Sequence, residues 1–192
     1  LASSLEIAPV VAQLLVLRGL KAPEEAEQFL RPTLSNLHDP FLLRDLSVAF
    51  ERLQRALAQG ERIAVHGDYD VDGVTSTVIL TRILELLGGD VIHFIPNRLE
   101  DGYGLEPTAI EHLAAKDVNV VVSVDCGIRS YAAAMRANEL GLDLIITDHH
   151  EPQTEMPPAL AVINPKRADC SYPDKNLAGV GVTLKLVQAL CE

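Results

Sequence analysis

Residues 62–73 read RIAVHGDYDVDG, and this stretch decides the fold. It begins with the apolar run Ile-Ala-Val, which is typical of a short buried strand. Asp68, Asp70 and Asp72 then occupy every second position, and apolar residues recur at helical spacing over 74–87. The sequence therefore predicts three carboxylates on a turn between a strand and a helix. Carboxylates this close repel one another, so they stay ionised only where cations neutralise them or water solvates them.

Other interpretations of this turn are possible. Asp-rich loops are often solvated turns, and Asp72 would suit the N-cap of the following helix. The string DYDVDG also opens like an EF-hand calcium loop, but that loop needs a preceding helix and a glutamate where this chain has Ile79. A phosphate-binding P-loop needs Gly-Lys-Ser/Thr, and this turn has no lysine. A hard-cation site and a solvated turn are left, and we favour the cation site.

The composition is that of a globular protein. The chain has 192 residues, of which 48% are hydrophobic and 22% are charged, enough for one sizeable core. No apolar run approaches the roughly 18 residues of a membrane-spanning helix, and we predict neither a membrane segment nor a signal peptide. Three scattered cysteines, Cys126, Cys170 and Cys191, favour a reducing cytoplasm over a disulfide framework.

The net charge is −11, which by itself argues against binding to nucleic acid, because phosphate backbones attract Lys and Arg. A metal-loaded acidic site would be far less negative than this formal count. The charge therefore leaves nucleic-acid binding open.

Strand and helix patterns alternate from residue 62 onward. The apolar runs lie at 63–65, 91–95, 118–124, 142–146 and, more weakly, 160–163, and helical patterns lie at 74–87, 107–115 and 130–140. Such alternation with fully apolar strands predicts an α/β fold, in which helices cover both faces of a parallel sheet. We predict that residues 1–44 form a small helical N-terminal extension and that residues 45–192 form the main domain.

Polar residues follow each of the four stronger strand patterns. They are Asp68, Asp70 and Asp72 after the first, Arg98 after the second, Asp125 after the third, and Asp148, His149 and His150 after the fourth. The carboxyl ends of parallel strands meet at one edge of a sheet, so we expect these side chains to lie close together. Carboxylates with imidazoles suit Mn²⁺ or Mg²⁺, and a shared carboxylate could bridge two ions about 3.5–4 Å apart, as in two-metal hydrolysis of phosphate esters.

Several of these residues also have simpler explanations. Arg98 could clamp a phosphate or could pair with a neighbouring acid. The pair His149-His150 could be solvated, although we favour metal or phosphate binding. Gly179 and Gly181 precede a helix and would let a backbone approach a phosphate, but a lone GxG is a weak signal, and close helix packing explains it nearly as well.

The motifs GDYDVDG, VDCG and DHH, in this order, resemble those of the DHH phosphoesterase superfamily. With FIPNRLEDGYGL, VINPKR and LAGVGV, the chain from about Leu34 to its end is similar to the RecJ-like single-strand-specific exonucleases of that superfamily. The resemblance implies a Rossmann-like DHH domain at 45–192 that hydrolyses single-stranded DNA from its 5′ end with two Mn²⁺ or Mg²⁺ ions. It also implies a single-strand-binding protein and a helicase as partners.

The resemblance further implies a role for each site residue. The metal ligands would be Asp70, Asp72, Asp125 and His149, with Asp125 bridging the ions and His66 as a further, less regular ligand. His150 would meet the scissile phosphate, Asp148 would orient the histidine pair, and Arg98 would hold a phosphate. Cys126 stands where the family motif would have asparagine, a difference that we expect to be harmless.

The family's site has a further aspartate after the glycine motif and then a second domain, and neither is found before Glu192. The chain is therefore expected to be a C-terminally truncated, N-terminal piece with little activity alone.

Two other functions of the chain are kept open. One is a DHH phosphatase acting on short oligonucleotides or nucleotide phosphates, which the acidic charge mildly favours. The other is a non-catalytic module of a replication assembly, which the intact ligand set argues against.

Overall fold

The computed structural model describes residues 1–97 and 104–192, so Arg98 lies outside the described residues. The chain forms two compact units, Leu1–Asp39 and Pro40–Glu192. This division falls shortly before the predicted one, because Pro40–Leu42 form a short 3-10 helix that packs on helices of the second unit. Within the described residues, no helix is long and apolar enough to cross a membrane.

The first unit is helical. It contains α1 (Ala2–Leu5), α2 (Pro9–Leu17), α3 (Pro23–Leu30) and a 3-10 turn at Leu34–Asn36. Both α2 and α3 begin with proline, whose missing N–H is not needed in a first turn. Glu24 and Glu25 lie in the first turn of α3, where the helix dipole favours acids.

The second unit alternates strands and helices as predicted. Its elements are α4 (Leu46–Gln59), β1 (Arg62–Gly67), α5 (Val71–Leu86), β2 (Asp90–Phe94), α6 (Pro107–Ala114), β3 (Val120–Val124), α7 (Tyr131–Leu140), β4 (Asp143–Thr147), β5 (Ala161–Ile163) and α8 (Gly179–Cys191). The strands form one parallel sheet in the order β2-β1-β3-β4-β5. The predicted α/β class with a parallel sheet is confirmed.

Helices cover both faces of the sheet. On one face α4, α5 and α8 bury side chains such as Leu53, Leu80 and Leu186 against the strands. On the other face α6 and α7 bury side chains such as Ile110 and Ala133. Two-sided burial explains why β1, β3 and β4 are apolar runs rather than alternating strands.

The strand register aligns the residues that follow four of the strands. Gly67 pairs with Val124, Val124 with Thr147, and Thr147 with Ile163. The next residues in the chain, Asp68, Asp125, Asp148 and Asn164, therefore form a row along the carboxyl edge of the sheet. The direction in which strands are added reverses between β1 and β3, and such a reversal is where ligands bind in open α/β sheets.

The start of α5 differs from its prediction. The helix begins at Val71 rather than at residue 74, because Asp70 is its N-cap and accepts a hydrogen bond from the Gly73 N–H at 2.9 Å. Asp72 lies inside the first turn, so its interpretation as the N-cap is wrong. Its carboxylate is thereby available for other contacts.

Candidate metal centre

Asp125 lies at the centre of the carboxyl edge. It follows β3 in a left-handed conformation (φ 63°), and its N–H donates to the Thr147 carbonyl at 2.9 Å. Its side chain is 1% exposed, and Oδ1 has no hydrogen-bond partner among the described residues. Burial raises the pKa of Asp125 to about 8, with further contributions from the charges of Asp72 and Asp70. A carboxylate in this setting needs either a proton or a cation.

His149 directs a lone pair at Asp125. Its Nδ1 lies 3.1 Å from the Leu177 carbonyl, which can only accept a hydrogen bond, so Nδ1 carries the ring proton. In the neutral tautomer Nε2 is then the nitrogen with a free lone pair, and it lies 3.2 Å from Asp125 Oδ1 and 3.8 Å from Asp72 Oδ2. Metal-binding histidines commonly use this arrangement, in which a carbonyl fixes the tautomer and the other nitrogen ligates.

Asp72 is held by the first turn of α8. The Gly179 N–H donates to Asp72 Oδ2 at 2.8 Å, and the Val180 N–H donates to Oδ1 at 2.6 Å. Free amides and the helix dipole both favour a carboxylate at this position. The carboxylate therefore stays fixed beside His149.

Gly179 has a second reason to be glycine. A Cβ at this position would lie 2.2 Å from Asp125 Oδ1, so no side chain fits here. At Gly181 a Cβ would meet Leu177 at 3.4 Å, an ordinary contact. Of the two explanations offered for the GxG pattern, these contacts favour close packing over phosphate binding, and they do so at Gly179 alone.

The ligand atoms form two groups that share Asp125. The first group is Asp68, Asp70 and Asp125, and the second is Asp125, His149 and His150. Within each group the candidate ligand atoms lie within 4.8 Å of one another. Sharing one buried carboxylate between two groups is what a bridged pair of ions requires.

Asp148 organises the histidine pair. It is buried and accepts hydrogen bonds from the backbone N–H groups of Ile128, His149 and His150, and from His150 Nδ1 at 2.7 Å. Burial alone would raise the pKa of Asp148, but the hydrogen bonds from His150 and Ile128 hold it below its usual value. The bond to Asp148 in turn raises the pKa of His150.

The ring of His150 stays accessible. With Nδ1 bound to Asp148, the imidazole keeps Nε2 for a partner outside the pair, and the side chain is 42% exposed. A cavity of about 310 Å³ lies beside it, lined also by Glu106, Arg129 and Ser130. His150 is thus the one member of its group that also borders this cavity.

One predicted ligand, His66, lies apart from this arrangement, and one predicted phosphate-binding residue falls outside the described residues. His66 is buried and belongs to neither ligand group; its ring packs on Phe94, and its Nδ1 lies 3.6 Å from Cys126 Sγ. Its role as a ligand stays a prediction. Arg98, predicted to hold a phosphate, falls in the segment 98–103, which lies outside the described residues.

Several groups that contribute to the candidate metal centre were not predicted from the sequence. It left open whether Asp68 is a ligand, and it did not single out the Leu177 carbonyl, the α8 amides or Asn164. The position of Asn164 directly after the weak fifth strand pattern is the signal in the sequence, because polar residues follow the other strand patterns in the same way.

The donor set fits Mn²⁺ or Mg²⁺. It consists of carboxylate oxygens and the imidazole nitrogens of two histidines around a buried oxygen that has no hydrogen-bond partner in the described structure. Hard, oxygen-preferring ions suit such ligands, with Mn²⁺ also accepting imidazole. Burial raises the pKa of the neighbouring Cys126 thiol well above its usual value, so no thiolate competes at this site.

The chain is similar to known single-stranded-DNA-specific exonucleases. The single-stranded-DNA-specific exonuclease RecJ of Bacillus subtilis is 43% identical over 190 residues, which is 99% of this chain and 24% of that protein. RecJ of Thermus thermophilus in complex with Mn²⁺ superimposes with a TM-score of 0.77 at 36% identity, covering 98% of this chain and 26% of that one. A RecJ exonuclease bound to manganese gives a TM-score of 0.71 at 42% identity, covering 77% and 37%.

The chain thus spans about a quarter of the length of the curated relative from Bacillus subtilis. The family model described as DHH family, N-terminal domain, matches residues 62–192, which include β1, α8 and every candidate ligand of the two groups. The chain therefore belongs to the DHH family.

Proposed function

We propose that the protein is a metal-dependent phosphodiesterase that hydrolyses single-stranded DNA from its 5′ end with two Mn²⁺ or Mg²⁺ ions. The observation that carries this proposal is the sharing of Asp125 between two groups of candidate ligands. The similarity to relatives named as single-stranded-DNA-specific exonucleases supports the choice of substrate.

The ligand roles follow from the contacts. Asp68 and Asp70 would hold one ion on the α5 side of Asp125, and His149 with Asp72 would hold the other on the α8 side. When bound, the ions supply Lewis-acid polarisation of the phosphoryl group and make an attacking water more acidic. The protein's part is to keep the ligands rigid, which the α8 amides do for Asp72 and the Leu177 carbonyl does for His149.

His150 would contact the scissile phosphate. Its raised pKa favours the imidazolium, which donates a hydrogen bond from Nε2 to a phosphate oxygen while Nδ1 stays bound to Asp148. The buried carboxylate of Asp148 thus orients the ring and keeps it charged. Arg98, in the undescribed segment, keeps its predicted role as a phosphate clamp.

A second candidate is a phosphatase or oligonucleotidase for short oligonucleotides or nucleotide phosphates. Two observations favour it: the net charge of −11, which repels long polyanions, and the cavity of about 310 Å³ beside His150. A cavity of roughly 300 Å³ is at the lower end of the range for small-molecule sites. The metal centre would serve both substrates equally.

Substrate competition distinguishes the two candidates. The full-length natural protein is assayed with Mn²⁺ on 5′-labelled long single strands, on matched duplexes and on dinucleotides, beside Asp125→Asn. Preferential cleavage of long single strands that disappears in Asp125→Asn supports the exonuclease. Preferential cleavage of dinucleotides favours the second candidate, and cleavage that persists in Asp125→Asn contradicts both.

The remaining implications of the family resemblance are also proposals. A single-strand-binding protein and a helicase would be partners of the full-length protein, which co-purification with and without nuclease treatment would test.

A cytoplasmic location is proposed from the three scattered cysteines, each of which is free in the structure. A non-catalytic role would gain support if the full-length protein bound no Mn²⁺.

A further inference from the structure

Asn164 is a buried polar residue at the carboxyl edge of β5. It is 0% exposed and continues the row of Asp68, Asp125 and Asp148. Its Nδ2 donates to the His150 carbonyl at 2.9 Å, and its Oδ1 accepts from the Lys166 N–H at 2.8 Å. Both halves of the amide are therefore used, one toward the histidine pair and one toward the following turn.

The backbone of His150 is fixed on both sides by side chains. Its N–H donates to Asp148 Oδ1 at 3.0 Å, and its carbonyl accepts from Asn164. The Asp148 N–H donates to the Ile163 carbonyl at 3.0 Å, which ties the same turn to the end of β5. The orientation of the His150 ring is thus set by two anchors, Asp148 at the imidazole and Asn164 at the main chain.

His149 is held by different partners. Its N–H donates to Asp148 and its Nδ1 to the Leu177 carbonyl, and neither bond involves Asn164. A change at Asn164 therefore disturbs His150 first and leaves the contact between His149 and Asp125 in place.

We propose that Asn164 is a positioning residue for the hydrolysis: its side-chain amide holds the His150 main chain so that the imidazole meets the substrate phosphate. This inference rests on the proposed function. It assigns Asn164 no contact with metal or substrate, because its two hydrogen bonds are both made to main-chain groups.

Two substitutions at Asn164 distinguish the hydrogen bond that Nδ2 donates to His150 from the one that Oδ1 accepts from Lys166. Asn164→Asp keeps an oxygen that accepts from the Lys166 N–H, but it places a second oxygen against the His150 carbonyl, where the two repel. Asn164→Ala removes both bonds. If the bond to His150 matters, both variants lose activity; if only the turn at Lys166 matters, Asn164→Asp retains activity.

Asn138→Asp is the matched control. Asn138 also donates its side-chain amide to a main-chain carbonyl, that of Pro158 at 2.8 Å, but it lies on α7 and in neither ligand group. The substitution adds the same charge and removes the same kind of bond. Its activity is expected to stay within about two-fold of the unsubstituted protein, as for surface positions generally.

The experiment measures kcat and KM on single-stranded DNA, together with Mn²⁺ affinity, in the full-length natural protein. For Asn164→Asp we expect kcat to fall by about 10- to 100-fold, the usual cost of losing an outer-shell partner, with KM and Mn²⁺ affinity nearly unchanged. Adding Asn164→Asp to His150→Ala should cause little further loss, because the two residues act as one unit.

Failure of this inference is distinguishable from failure of the proposed function. If the unsubstituted protein hydrolyses DNA but Asn164→Asp matches Asn138→Asp, or if Mn²⁺ affinity falls together with kcat, the positioning role is wrong. If the unsubstituted protein hydrolyses no phosphodiester, the proposed function is wrong. NMR spectra of ¹⁵N-histidine-labelled protein then still test the geometry, since Asn164→Asp should shift the His150 ring signals and not those of His149.

Discussion

Nε2 of His149 lies 3.2 Å from Oδ1 of Asp125, and the Leu177 carbonyl fixes the proton of His149 on the other ring nitrogen. Both atoms are hydrogen-bond acceptors unless one of them carries a proton. Without metal, a proton retained on Asp125, whose pKa is about 8, can be shared between Asp125 Oδ1 and His149 Nε2. With metal, a cation takes the place of that proton. Metal binding and proton release should therefore be coupled.

The first prediction follows from this coupling. Near pH 7, binding of Mn²⁺ to the His149 side of Asp125 should release about one proton, and the affinity should rise between about pH 6 and pH 8. Isothermal titration in buffers of different ionisation enthalpy measures the proton count. A count of zero across this range would show that Asp125 is already ionised before metal arrives.

Asp125→Asn should stabilise the metal-free protein at alkaline pH. The pKa of Asp125 is about 8 when folded, against about 3.9 in an unfolded chain. Between these values the folded state binds the extra proton, so the free energy of unfolding falls as pH rises, by up to about 1.4 kcal/mol per pH unit. Asparagine does not titrate and escapes this loss.

Urea unfolding in the presence of a chelator tests this prediction. The stability of Asp125→Asn relative to the unsubstituted protein should increase steadily from about pH 5 to about pH 8. The exposed Glu155→Gln removes one acid elsewhere and serves as control. A constant difference between Asp125→Asn and the unsubstituted protein at all pH values would contradict the raised pKa.

Gly179→Ala should damage the site, whereas Gly181→Ala should not. The new Cβ at residue 179 would lie 2.2 Å from Asp125 Oδ1, while at residue 181 it meets Leu177 at 3.4 Å. Overpacking of this kind costs roughly 1–3 kcal/mol, and Gly181→Ala should be neutral or gain up to about 1 kcal/mol of helix propensity. Thermal unfolding and Mn²⁺ affinity check the pair. Equal behaviour of the two variants would mean that α8 does not press on Asp125.

Arg52→Met should destabilise the fold without altering the metal centre. Arg52 is 6% exposed and bridges Glu61, just before β1, to Asp143 at the start of β4, at the edge of the sheet opposite the ligands. Removing Arg52 breaks two charged hydrogen bonds but leaves Glu61 and Asp143 partly exposed to water, so the expected loss is about 1–3 kcal/mol. The control Arg55→Met removes a 57% exposed arginine that lies 3.8 Å from the same Asp143. Unfolding free energies that are equal for the two variants would contradict the bridging role.

Much of the fold was predictable because two-sided burial turns strands into apolar runs. The positions of Asp125 and Asp148 were predictable for the same reason, since a residue following a parallel strand must lie at the carboxyl edge. The N-cap of α5 was not, because Asp70 and Asp72 have the same cap preference and only the backbone decides between them.

Long-range contacts determine the features of the site that the sequence did not predict. The α8 amides reach Asp72 across more than a hundred residues of chain, and no local pattern records that approach. Asn164 joins the row only because β5 pairs with β4 in one particular register. The weak apolar run at 160–163 predicted a strand but gave no information on that register.

An anomalous difference map at the manganese edge, from crystals of the full-length protein grown with Mn²⁺, tests the central claim most directly. We predict two peaks about 3.5–4 Å apart on either side of Asp125, one toward Asp70 and the other toward His149. In crystals of Asp125→Asn both peaks should weaken or vanish. Manganese peaks that lie elsewhere, or that persist unchanged around Asp125→Asn, would contradict a metal centre built on the shared carboxylate.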